Sequence, residues 1–199
     1  MGPRAGGRSR RESRGRGAAT AAPAPWSGRV KDPIDLYLGH YPATLRASVR
    51  ELANQGTLGA SVVARYPDPP TITTDQALKD YVTELRNRYL KRSSPLSKIC
   101  FDDKQTTLQR ALGLHTRVSR VQGARLKAKQ ELRVASLFKQ TPPEFLRMVV
   151  VHELAHLREV EHNKAFYQLC CHMEPDYHQY EFDLRLYLAA RELGQIDGR

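Results

Sequence analysis

The sequence predicts an α+β fold on three observations. Apolar residues recur at helical spacing from residue 33 to about residue 90. Short runs rich in β-branched or alternating residues follow between 98 and 138. A strongly apolar helix then begins after Thr141-Pro142-Pro143-Glu144, with two further helical stretches behind it. The chain has 199 residues, enough for one ordinary domain with a short appendage.

In chain order, Asp32-Pro33 reads as an N-cap followed by proline at the first helical position. Pro42 opens a second helix whose stripe is Leu45, Val49 and Leu52 and which closes near Gly56. Leu58 to Arg65 forms a third, short helix before the breaker Tyr66-Pro67-Asp68-Pro69-Pro70. Thr73 with Gln76 reads as a capping box, and Leu78, Tyr81, Val82, Leu85 and Tyr89 mark one face of a four-turn helix. The period then changes. Lys98–Asp103, Leu114–Val121, Arg125–Lys129 and Glu131–Phe138 read as strands of a small, mostly antiparallel sheet, with a turn signal at Gln122-Gly123. Thr141 is placed as N-cap of the next helix with Glu144 as its capping-box acid. Phe145, Leu146, Met148, Val149, Val150 and Val151 make that helix apolar nearly all round, which belongs in the protein interior. Asn163 is placed as the cap of a helix with Phe166, Leu169, Cys170 and Met173 on its stripe. Tyr177, Tyr180, Leu184, Tyr187 and Leu188 mark the last one.

This divides the chain into a disordered basic tail (1–32), a helical N-terminal segment (33–70) and a main domain (71–195). The net charge is +11, of which +6 lies in residues 1–33; that stretch is Arg, Gly, Ala, Pro and Ser with almost nothing to bury. It lacks the apolar core of a secretory signal, and Pro3 with Gly6 do not fit myristoylation; an Arg-rich start suits a transit peptide or a nucleic-acid-binding arm. No run approaches the ~18–20 apolar residues of a membrane span. Cys100, Cys170 and Cys171 are an odd number in a domain large enough to fold without staples, so a reducing cytoplasm is expected.

The chemistry lies in His152-Glu153-Leu154-Ala155-His156, the pattern H-E-x-x-H. Positions four apart on a helix differ by ~40° around the axis, so both imidazoles can share one tetrahedral ion. Glu153, about 60° from His156, is placed to take a proton from water as general base. The apolar residues around the motif carry these polar groups into the core, where metal ligation relieves the penalty of burying them. A catalytic zinc usually takes three protein ligands and keeps one position open. His162 is the leading third ligand, provided the helix ends near Arg158–Glu161 and the chain turns back; Glu174, Glu181, His172 and His178 are the alternatives. Tyr177, Tyr180 and His178 are candidates for oxyanion or substrate contact. Arg117, Arg120, Arg125, Lys127, Lys129 and Arg133 against the single acid Glu131 form a net +5 segment, which suits phosphate or nucleic-acid binding.

The run HELAHLREVEHNKAFY resembles the zincin signature H-E-x-x-H-x5-H-x3-[FW] of the YgjP-like zinc metallopeptidases, a family similar in this region to the SprT-like proteases. TPPEFLRMVVVHELAHL and MEPDYHQYEFDLRLYL extend the resemblance to about residues 70–193. It implies a zincin-like fold and one zinc per chain held by His152, His156 and His162, with Glu153 as catalytic base in peptide hydrolysis. Two departures stand out. Glu159 occupies the place of the turn glycine of metzincins, and Thr116-Arg117-Val118-Ser119-Arg120 replaces the family's Trp-Gly-Ser segment. The expected activity is therefore that of a zinc metallopeptidase acting on a peptide or protein. The alternative is a nucleic-acid-associated protein whose metal site is structural or acts on DNA-bound proteins.

Overall fold

The computed structural model describes Gly2, residues 32–102 and residues 131–196. Within them, four helices precede a strand pair: α1 (Pro33–Leu38), α2 (Ala43–Asn54), α3 (Leu58–Val63) and α4 (Asp75–Tyr89). Strands β1 (Lys98–Asp102) and β2 (Glu131–Ala135) follow, then a 3-10 turn (Ser136–Lys139) and helices α5 (Pro143–Ala155), α6 (Lys164–Met173) and α7 (Tyr177–Glu192). The α+β class holds. The basic tail and the strands predicted at 114–121 and 125–129 lie outside the described residues.

The sheet differs from the expectation in one respect. β1 and β2 run parallel, in the register Lys98↔Glu131 to Asp102↔Ala135, where a mostly antiparallel sheet was expected. Twenty-eight residues separate the two strands, ample for the crossover that a parallel pair needs. The turn signal at Gln122-Gly123 falls inside that connection and does not join these two strands. The Asp75 carboxylate accepts the Phe101 N–H (2.9 Å), tying the first turn of α4 to β1.

Local starts largely follow the sequence, with two one-residue shifts. Asp32 caps α1 by accepting from Ile34 N–H, and Asn163 caps α6 by accepting from Phe166 N–H (both 2.9 Å). Thr74 rather than Thr73 caps α4, accepting from Ala77 N–H at 3.2 Å, and the Gln76 amide bonds Asp80 instead of closing a box. At α5 the cap position falls on Pro142, so Glu144 comes one residue too early for a capping box. The Thr141 hydroxyl lies 3.4 Å from both the Phe138 and Pro142 carbonyls. Gly56 ends the turn after α2 at φ +72°, a conformation that glycine adopts without steric penalty. Gly59 lets α3 approach the chain end, because a Cβ there would stand 2.3 Å from the Gln195 carbonyl oxygen.

The core is organised on α5 and α7. α7 is buried at every residue from Asp183 to Ala190, and α1, α3, α5 and α6 all pack against it. That continuous burial takes in two charges, each answered by a partner from the N-terminal segment. The Asp183 carboxylate accepts from Tyr66 Oη (2.6 Å) and Gln179 Nε2 (2.9 Å); its other oxygen lies 2.9 Å from Arg65 Nη1, an ion pair without hydrogen-bond alignment. The Arg185 guanidinium donates to the Tyr37 carbonyl (3.2 Å) and pairs with Glu181 one turn back (2.6 Å).

Asp183→Ala is expected to lower the free energy of unfolding by about 3 kcal/mol, since it strands the Tyr66 hydroxyl and Gln179 amide against a cavity. Tyr66→Phe should lower it by only about 1–2 kcal/mol. Urea denaturation of both variants measures the difference, and equal small losses would place the Asp183 carboxylate in water rather than in the core.

Candidate metal centre

Helix α5 is buried on nearly all sides from Phe145 to Ala155, and His152 sits in that buried stretch at 4% exposure. The helix ends at Ala155 with His156 as its C-cap, three to six residues before the expected stop at Arg158–Glu161. The Glu159 N–H donates to the Ala155 carbonyl (3.0 Å), and the Asn163 N–H donates to Glu161 O (2.7 Å) as α6 begins. This reversal brings His162 back onto the end of α5. A longer helix would have carried the following residues along the α5 axis and away from His152.

The three imidazoles meet edge to edge. His152 Nε2 lies 3.2 Å from His156 Nε2 and 3.1 Å from His162 Nε2, and the ring centroids form a near-equilateral triangle with sides of 4.8–5.0 Å. Phe166, fully buried one turn into α6, packs on all three rings at 4.6–5.0 Å and forms the floor. That contact accounts for an aromatic residue four positions after His162.

These residues fit a metal ion. Three ligand atoms lie within 4.8 Å of one another. A tetrahedral ion with metal–nitrogen bonds of ~2.0–2.1 Å would hold its ligands about 3.3–3.4 Å apart, close to the two Nε2 separations. The far sides of two rings are also engaged. His156 Nδ1–H donates to the Glu159 carbonyl (3.0 Å), which leaves its Nε2 lone pair facing the cluster, and His152 Nδ1 lies 2.8 Å from Tyr177 Oη. Burial holds the His152 imidazole down at about 3, with the neighbouring imidazoles adding to the effect. Burial also lowers His156, against the opposing pull of its bond to Glu159. Exposure grades outward from buried His152 through half-buried His156 to exposed His162, so the cluster is open on the His162 side. Among the described residues this group has three members, which leaves room for substrate or water.

Other predicted site residues are distributed unevenly. Glu153 is half-buried on α5 between the two ligand-type histidines. Glu174 is taken up by Arg147: the two side chains are ion-paired, and Arg147 Nη2 also donates to the Met173 carbonyl (3.0 Å). Glu181 is paired with Arg185, and His172 packs edge-on against Tyr89 at 5.5 Å. Tyr177 does not suit oxyanion contact, because it is 1% exposed and its hydroxyl sits behind the His152 ring. Tyr180 packs edge-on against Tyr66 at 6.0 Å. His178 is exposed and lies 5.4 Å from Tyr167, whose ring is in turn 6.3 Å from His162. Arg133 is engaged by carboxylates, Asp102 at 2.9 Å and Glu131 at 2.8 Å, and so is less suited to phosphate than expected. Arg117, Arg120, Arg125, Lys127 and Lys129 lie outside the described residues. The sequence reading missed the Tyr177–His152 bond and the Arg147–Glu174 pair, whose partners are 25 and 27 residues apart and leave no local signature.

In the metal-free protein, His152 stays neutral to about pH 3, whereas the unfolded chain binds that proton near the ordinary value of 6.5. The unfolded state therefore holds the extra proton between those values, and His152 contributes a loss of stability as pH falls through that window. Calorimetry of the metal-free protein should show the melting temperature dropping from pH 6.5 downward, with a shallower slope in His152→Asn. Identical slopes would mean that His152 is protonated within the fold.

Residues 100–187 match the YgjP-like metallopeptidase domain, the stretch that runs from β1 through most of α7. The UTP pyrophosphatase of Escherichia coli (strain K12) is 56% identical over 159 residues, which cover 80% of this chain and 95% of that protein. No solved structure matches. Both descriptions, metallopeptidase and pyrophosphatase, are of hydrolases, and the histidine cluster lies within the matched domain. No helix among the described residues is long and apolar enough to cross a membrane. With its relative matched almost from end to end at more than half identity, the chain belongs to the YgjP-like family.

Proposed function

We propose that this protein is a metal-dependent hydrolase of nucleoside triphosphates, with UTP as substrate and UMP and pyrophosphate as products. The observation that carries this reading is the 56% identity to a UTP pyrophosphatase across nearly all of that protein, joined to a three-histidine cluster open on one side. His152, His156 and His162 would hold the ion, for which zinc is the best match to three imidazoles and an open position. A divalent ion there supplies positive charge against phosphoryl oxygens and lowers the pKa of water.

The chain's own residues do the rest. Glu153 accepts a proton as a water oxygen attacks the α-phosphorus; the bond from that phosphorus to the bridging oxygen breaks, and the electron pair leaves with pyrophosphate. Phe166 and the buried carboxyl end of α5 exclude solvent from the inner side. The basic run Arg117, Arg120, Arg125, Lys127 and Lys129 is assigned to the triphosphate, whose charge requires cationic partners during binding and departure. A polymeric nucleic acid would compete for the same residues. The three cysteines, all free thiols, support a reducing, cytoplasmic setting.

A second reading, peptide hydrolysis, is favoured by the description of the matched domain as a metallopeptidase and by the H-E-x-x-H helix itself. There Glu153 would take the proton of water and deliver it to the leaving amine.

The test is the zinc-loaded full chain with UTP, other nucleoside triphosphates and unstructured peptides in parallel. UMP and pyrophosphate should appear in equal amounts from UTP and cease on chelation. Peptide cleavage without pyrophosphate release would overturn the first reading in favour of the second. Glu153→Gln should retain zinc and lose about 10²–10⁴-fold in kcat; undiminished turnover in the zinc-loaded variant would remove Glu153 from the reaction. Charge reversal of Lys127 and Lys129 together should raise KM for UTP at least about tenfold while leaving zinc content unchanged. An unchanged KM would detach that segment from substrate.

A further inference from the structure

The last helix reaches the histidine cluster from behind. Tyr177 is the first residue of α7, is 1% exposed, and places its hydroxyl oxygen 2.8 Å from His152 Nδ1, on the ring edge that faces away from His156 and His162. The Tyr177 oxygen carries lone pairs that can receive the His152 Nδ1–H. Only the tautomer with hydrogen on Nδ1 then leaves the His152 Nε2 lone pair directed into the cluster.

Tyr177 is held in place from the helix that carries His152. Arg147, five residues before His152 on α5, pairs with Glu174 and donates to the Met173 carbonyl (3.0 Å). The second Glu174 oxygen accepts the Asp176 N–H (3.2 Å). The α6–α7 turn is thereby fastened to α5 just ahead of Tyr177. We infer that Tyr177, held by the Arg147–Glu174 clamp, is a positioning residue that fixes the tautomer and ring orientation of His152 for metal binding. This rests on the three histidines holding the ion, and not on whether the substrate is a nucleotide or a peptide.

Outer partners of this kind typically change metal affinity by about 10–100-fold when removed. The experiment measures zinc affinity by chelator competition, and Co2+ absorption in the visible, for the full chain and for Tyr177→Phe, Glu174→Gln and Tyr187→Phe. Tyr187→Phe is the control: Tyr187 is a second buried tyrosine on α7, packed on Phe145 at 5.4 Å. Tyr177→Phe should bind zinc at least about tenfold more weakly with altered Co2+ bands. Glu174→Gln should shift both readouts in the same direction by less, and Tyr187→Phe should match the parent protein. Melting of the metal-free proteins separates this from a general loss of fold. Wild-type affinity in a folded Tyr177→Phe, or an equal loss in Tyr187→Phe, would overturn the inference; should Tyr177→Phe fail to fold, unchanged affinity in Glu174→Gln would do so. A parent chain that binds neither zinc nor Co2+ would instead overturn the metal reading itself.

Discussion

Two imidazoles four residues apart are anchored in a helix that has almost no wet face, and most other features of the molecule accommodate that constraint. A buried imidazole needs a partner for each ring nitrogen, because an unsatisfied polar atom in an apolar interior costs about 1–3 kcal/mol. His152 meets the requirement with Tyr177 on one edge and its fellow histidines on the other; His156 uses the Glu159 carbonyl. The early end of α5, the return of the chain to His162 and the Phe166 floor follow from the same need. Together they bring three ring nitrogens to one place and keep solvent on one side only.

How much of this was legible in the sequence depended on how local the determining interaction is. Asp32, Asn163 and Gly56 act within a few residues, and their roles agree with the pattern. The H-E-x-x-H spacing is local to one helix, and the need for a reversal before His162 followed from helix geometry alone. Thr141 and Thr73 misled because neighbouring polar and proline residues offer two adjacent cap positions, and propensity does not choose between them. The strand direction was hidden because it depends on where a 28-residue connection travels, not on the strands' own residues.

The charged pairs were hidden for a related reason. Glu174 offers a carboxylate that could ligate a metal and is close in sequence to the site, yet Arg147 reaches it first from the middle of α5. Arg133 looks like one of a run of free cations, but the pairing of β1 with β2 sets it among Asp102 and Glu131. A buried pair is a weak source of net stability, since desolvation offsets most of the attraction; its stronger effect is on which arrangement is admitted. In this fold it determines which acids remain available to the histidine cluster and which are consumed in holding helices together.

Helix α7 carries Tyr177 in its first turn and Asp183 and Arg185 about 9 Å and 12 Å further along the same rod. The first touches a cluster histidine; the other two are engaged by Tyr66, Arg65 and the Tyr37 carbonyl, the outlying helical region of the chain. A helix buried over this length shifts as a unit more readily than it bends. The packing of the amino-terminal helices and the aim of one imidazole therefore rest on the same rod, and a cavity opened at its far end would be felt as slackening at the near one.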